Sequence, residues 1–78
     1  MARMSQLLDH LAYVERHIRD GERHLLHQRE IVAELERHGR GHSRTTQVAR
    51  DILATFEMAQ SLHLNDRAHL LQALREKT

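Results

Sequence analysis

Apolar residues in the first half of the chain recur at alternating steps of three and four positions. This spacing places them along one side of an α-helix, as in coiled coils and helical bundles. The pattern predicts a first helix over about residues 4–38. Its seam consists of Met4, Leu7, Leu11, Val14, Ile18, Gly21, Leu25, Gln28, Val32 and Leu35.

A short segment containing two glycines then interrupts the periodicity. Gly39 suits the left-handed conformation that ends many helices, and Ser43 is a good N-cap for a following helix. We therefore expect a turn over residues 39–43 and a second helix over about 44–76. The apolar positions of the second helix are Val48, Ala49, Ile52, Leu53, Phe56, Ala59, Leu62, Leu70, Leu71 and Leu74.

The middle of the second helix is more polar, and Asn65 or Asp66 is able to cap a new helix there. We favour one continuous helix over a break at this point. Two long helices joined by a short turn must lie antiparallel. With the turn centred near residues 40 and 41, facing residue numbers sum to about 81. This register pairs Leu11 with Leu70, Gly21 with Gln60 and Ile18 with His63.

The expected fold is all-α: an antiparallel two-helix hairpin forming a single domain over residues 1–78. A hairpin has no third layer, and a chain of 78 residues builds only a marginal core. The chain has no cysteine, so no disulfide adds stability. We expect two hairpins to pair as a homodimeric four-helix bundle, so that the first partner is a second copy of the chain.

Composition argues against several classes of function. The formal net charge is +1 and the two signs are interleaved, which is unlike a nucleic-acid-binding surface. One Tyr and one Phe provide no stacking platform for single-stranded nucleic acid. No apolar run has the length of a signal peptide or a membrane span. We expect a cytoplasmic protein that binds neither membranes nor nucleic acid.

Residues 28–37 (QREIVAELER) and 53–60 (LATFEMAQ) resemble a group of short two-helix hypothetical proteins of rhizobia and related α-proteobacteria. The resemblance extends over most of the chain, including the glycine turn. It also includes the spacing of Phe56, Gln60, His63 and Arg67. Ser43 stands where these proteins often have an aspartate cap. The resemblance implies a bacterial, cytoplasmic origin and carries no activity.

Eight histidines are an unusual number for a chain of this length. Four of them recur at multiples of seven positions and form a stripe beside the first seam: His10, His17, His24 and His38. Members seven residues apart are separated by ~10.5 Å, too far to share one metal ion. We interpret the stripe as a half-buried border. The alternative is a pH switch, in which protonation charges the border and loosens the dimer.

Five polar or minimal residues occupy seam positions and define a predicted polar bundle centre: Gly21, Gln28, Gln60, His63 and Arg67. Buried amides need hydrogen-bond partners, and such groups fix the register of paired helices. Glycine at the seam would permit close approach of the helices. A small-ligand pocket between the helices is the alternative interpretation.

Closely spaced histidines and aspartates raise the question of a metal site: Asp20, His24 and His27 on the first helix, and His63, Asp66 and His69 on the second. Di-metal bundles need such pairs on two helices together with further inward carboxylates. That set is incomplete, so we predict no metal and no cofactor.

Basic residues gather at the turn: Arg37, Arg40, His42 and Arg44. The start of a helix attracts anions, so this turn is a weak candidate for anion binding. Catalytic motifs are lacking, and Ser5, Ser43 and Ser61 have no recognisable base beside them. The favoured hypothesis is a non-enzymatic, homodimeric protein-interaction or regulatory module. The alternatives are a nucleic-acid-associated protein that uses the basic turn, or a histidine-based sensor of pH, metal or ligand.

Overall fold

The computed structural model describes residues 2–39 and 41–77, which form a hairpin of two α-helices packed against each other. Helix α1 spans Ala2–Arg37 and helix α2 spans Arg44–Lys77. The Cα trace is a rod of 57 × 14 × 14 Å. The predicted all-helical hairpin is confirmed, and α2 runs through Asn65 without a break. In the described residues, neither helix has an apolar stretch suited to crossing a membrane.

Local chemistry at the C-terminus of α1 explains why the helix ends there. Gly39 has a φ of 72°, in the left-handed region that favours glycine. The N–H groups of His38 and Gly39 donate to the carbonyls of Glu34 and Glu36, each at 3.2 Å. These bonds satisfy carbonyls that a helix end otherwise leaves unpaired.

The start of α2 is fixed by a side-chain cap. The Ser43 Oγ accepts the N–H of Thr46 at 3.1 Å, and Thr46 is fully buried. Arg50 then closes the turn, because its guanidinium donates to the Gly41 carbonyl at 2.9 Å and to Glu36 at 2.8 Å. The predicted N-cap at Ser43 is therefore present, and an arginine further along α2 supports it.

The seam of α1 faces α2, as the periodicity predicts. Val14 and Ile18 are 2% and 3% exposed, and with Leu70 they form a buried cluster. Leu7 and Leu11 pack against this cluster. It fills the half of the hairpin away from the turn, and it contains the predicted pair of Leu11 and Leu70.

The residues that helix α2 buries are not its bulkiest apolar ones. Thr46, Ala49 and Gln60 are buried, whereas Val48 and Ile52 remain 47% and 41% exposed. Small side chains at the contact let the two backbones approach closely. Five apolar residues of the expected second seam are consequently exposed on a single hairpin: Val48, Ile52, Ala59, Leu62 and Leu71.

The two turn glycines provide a matched test of this account. Gly39→Ala should destabilise the hairpin by about 1 kcal/mol, because alanine is strained at positive φ. Gly41→Ala should be neutral or slightly stabilising, since a Cβ there meets only the Arg50 Nη2, at 4.0 Å. Urea unfolding at one protein concentration compares the two variants. Equal costs at both positions would contradict the assignment of Gly39 as the cap.

Candidate functional site

A buried amide of α2 packs against a glycine of α1. The Gln60 side chain is 7% exposed, and its Nε2 donates to the Ile18 carbonyl at 2.9 Å. Its Oε1 is buried without a hydrogen-bond partner and lies where a Gly21 side chain would be. A Cβ on Gly21 would be 2.0 Å from this oxygen. Gly21 therefore forms a notch in α1 that holds the Gln60 amide.

A second buried amide makes the reciprocal contact nearer the turn. The Gln28 Nε2 donates to the Ala49 carbonyl at 2.8 Å. A helical carbonyl has a second lone pair, so it accepts this bond while keeping its own helical bond. Each helix thus contributes one glutamine that binds the backbone of the other. The predicted bond from the amide nitrogen to a backbone carbonyl of the other helix is found at both positions, while the Gln60 Oε1 stays unpaired.

The predicted polar bundle centre is spread along the seam. Gln28 lies seven residues from Gly21, which is ~10.5 Å along α1. His63 follows Gln60 by one helical turn and contacts a histidine of α1, and Arg67 is half-buried one turn further on. Gly21 and Gln60 meet across the two helices. The arrangement is a series of cross-helix contacts along the length of the hairpin.

The histidine stripe has unequal members. His17 is half-buried between Tyr13 and His63, with ring centroids 4.4 and 5.1 Å away. His24 meets the ring of Phe56 edge to face at 5.6 Å. His10 is exposed, and His38 is exposed just after α1. The half-buried border that the sequence predicts is thus formed at His17, while the other three histidines are more open.

The register predicted from the sequence places Ile18 opposite His63. In the structure the ring of His63 contacts His17. Both pairings agree with facing numbers that sum to about 80. The sum of two facing residue numbers fixes how far along the hairpin the residues lie. It does not fix the side of the seam on which they meet. The heptad pattern could have predicted this contact. It places His17 in the row beside the seam and Ile18 in the seam itself.

The hairpin has two long sides of different chemistry. The side that we call the histidine face includes the contacts of His17 with His63 and of His24 with Phe56. Heptad geometry places on it His10, Tyr13, His17, Asp20, His24, His27, Ile31 and Glu34 of α1, with Val48, Ile52, Thr55, Ala59, Leu62, Asp66, His69 and Ala73 of α2. None of these is an arginine or a lysine, although Arg3 precedes His10 by one heptad on the same side.

The opposite side, which we call the ion-paired face, has charges that bridge the helices. Arg29 lies 3.9 Å from Glu57, and Arg50 lies 2.8 Å from Glu36. Such exposed pairs contribute little to stability, about 0–1 kcal/mol each. They nevertheless keep permanent charge on this face of the hairpin.

The basic turn is partly neutralised by the last residues of α1. Arg37 and His38 both pair with Glu34, and the hydrogen bond from Arg37 holds the pKa of that carboxyl below its ordinary value. His42 and Arg44 are exposed. Arg40, the remaining member of the predicted anion-binding turn, lies outside the described residues. The described part of the turn is therefore a mixed-charge surface.

No group of three or more histidines, aspartates or glutamates in the described residues is arranged to hold a metal ion. Comparison with protein-family models, with curated proteins and with solved structures gives no match for this chain. The site is therefore interpreted from its own geometry.

The glycine notch predicts that the effect of Gly21→Ala on stability changes sign when the Gln60 side chain is removed. Gly21→Ala should destabilise the hairpin by about 1 kcal/mol, because the displaced Gln60 amide loses a buried hydrogen bond worth ~1–3 kcal/mol while alanine regains ~1 kcal/mol of helix propensity. In a Gln60→Ala background the notch is empty. The same substitution should then stabilise by up to about 1 kcal/mol.

Urea unfolding of the four proteins at one concentration measures the cycle. If Gly21→Ala has the same effect with and without the Gln60 side chain, the notch does not hold the amide.

Proposed function

We propose that this chain is a non-enzymatic interaction module that works as a homodimer, with a second copy covering the histidine face. The observation that carries the proposal is exposed apolar surface on that face. Tyr13, Val48, Ile52 and Leu62 are 41–60% exposed. Pairing two hairpins would bury these side chains and complete a four-helix bundle.

Charge favours the histidine face over the ion-paired face as the interface. Covering Arg50 and Glu36 would remove water from permanent charges, which is costly. The histidine face has imidazoles, which are able to be neutral at pH 7, in place of arginines. Two of its carboxylates, on Asp20 and Glu34, pair with arginines of the outer side of α1, so these exposed ion pairs would lie at the rim of the interface. Its burial therefore involves the smaller electrostatic cost.

The dimensions of the hairpin also suit a dimer. One long side measures 57 by 14 Å, a projected area of roughly 800 Å², which equals the area that each partner contributes to an interface of standard size. The buried apolar core within the described residues has only six members: Val14, Ile18, Leu25, Val32, Ala49 and Leu70. A second copy would supply the layer that this small core lacks.

Replacing single exposed apolar residues with glutamate tests the interface. We expect the wild type to sediment with twice the mass of the 9.2 kDa chain. Ile52→Glu should yield a single hairpin, because an unpaired carboxylate is costly at a buried interface. Met58→Glu is the matched control, since Met58 is 67% exposed on the outer side of α2 and should leave the dimer intact. Sedimentation equilibrium gives the mass, and circular dichroism verifies that each variant remains helical.

A helical wild type that sediments as a single hairpin at micromolar concentration would overturn the dimer. Leu64→Glu probes the ion-paired face, on which Leu64 is 40% exposed. Should that variant dissociate while Ile52→Glu stays dimeric, the assignment of the histidine face would be wrong.

A further inference from the structure

We propose that His17 and His63 form a two-histidine site for a late transition-metal dication such as Zn²⁺. The inference goes beyond the proposed dimer, because both ligands belong to one chain and lie on different helices. The motivating observation is their separation, since the two ring centroids are 5.1 Å apart.

The separation matches shared coordination. Imidazole nitrogens bind Zn²⁺ at about 2.0–2.1 Å with tetrahedral angles, which places two bound rings roughly 5.2 Å apart between centroids. The rings of His17 and His63 are inclined by 34° to each other. Each imidazole can present either of its nitrogens after rotation about its side-chain bonds. Rotation of the two rings about their side-chain bonds would therefore bring one nitrogen of each to a common ion.

The surroundings favour a dication that also holds water. Both histidines are half-buried, so one side of the pair is open to solvent. The Tyr13 ring lies 4.4 Å from the ring of His17 and limits its movement. Because the described part of the chain places no third ligand beside the pair, water would complete the coordination of the ion. Arg67, one turn after His63, opposes the ion, so we expect micromolar and not nanomolar affinity.

Other histidine pairs are weaker candidates. His24 and His27 lie on the same helix and His24 is engaged edge-on by Phe56. A metal at His24 and His27 would touch α1 alone, whereas a metal at His17 and His63 would join both helices. Metal binding at His17 and His63 must therefore stabilise the hairpin against unfolding. Binding to two histidines of one helix does not have this effect on the contact between the helices.

Zinc chloride titrated into the untagged protein tests the site. We expect one ion per hairpin by native mass spectrometry, a rise in thermal midpoint that EDTA reverses, and shifts of the ring nitrogens of His17 and His63 in NMR spectra. His17→Asn and His63→Asn should each abolish the thermal shift. His69→Asn, which removes an exposed histidine from the same face, should leave it unchanged. Acidification should release the ion, because protons compete for the imidazole nitrogens.

Measurement in the Ile52→Glu background separates this proposal from the dimer. Ile52 lies eleven residues from His63, about 16 Å along α2, so the substitution leaves the pair intact. Retained zinc binding in that variant supports a site within one hairpin. Absence of a thermal shift with zinc, or a shift that persists in His63→Asn, would overturn the proposal.

Discussion

The register of the hairpin depends on the buried amide of Gln60. Its Nε2 donates to the Ile18 carbonyl across the notch at Gly21, and its Oε1 is buried there without a hydrogen-bond partner. Sliding α2 by one turn, ~5.4 Å, would strand the amide against a side chain, at a cost of ~1–3 kcal/mol. Leucine and valine contacts tolerate such sliding better, because one apolar neighbour replaces another. Polar contacts thus specify the register that apolar packing stabilises.

Local chemistry made much of this fold predictable. The seam of α1 has a single apolar stripe, so its inward side follows from periodicity alone. The turn is defined by conformational preferences at two residues, Gly39 and Ser43, and both act within a few bonds of their own backbone. The contact between Gly21 and Gln60 also follows from the sequence, because a short turn leaves little freedom in how facing residues are counted.

The inward side of helix α2 does not follow from the sequence pattern, because apolar residues lie on more than one of its sides. Ile52 and Val48 are as apolar as Leu53 and Ala49, so hydropathy does not choose between them. The choice depends on the distance between the helices, because α2 buries small residues such as Thr46 and Ala49. That distance is a tertiary property. For the same reason the meeting of His17 with His63 required the structure, since it depends on the side of the seam toward which each ring turns.

The dimer and the metal site proposed for the histidine face share one surface, so they are linked thermodynamically. An ion at His17 and His63 adds positive charge to the histidine face, and covering that charge is costly unless carboxylates accompany it. Asp20 and Asp66 each follow one of these histidines by three residues, about 4.5 Å along its helix. If the carboxylates of a second copy reach the ion, metal and dimer strengthen each other by the same factor. If they do not, each weakens the other.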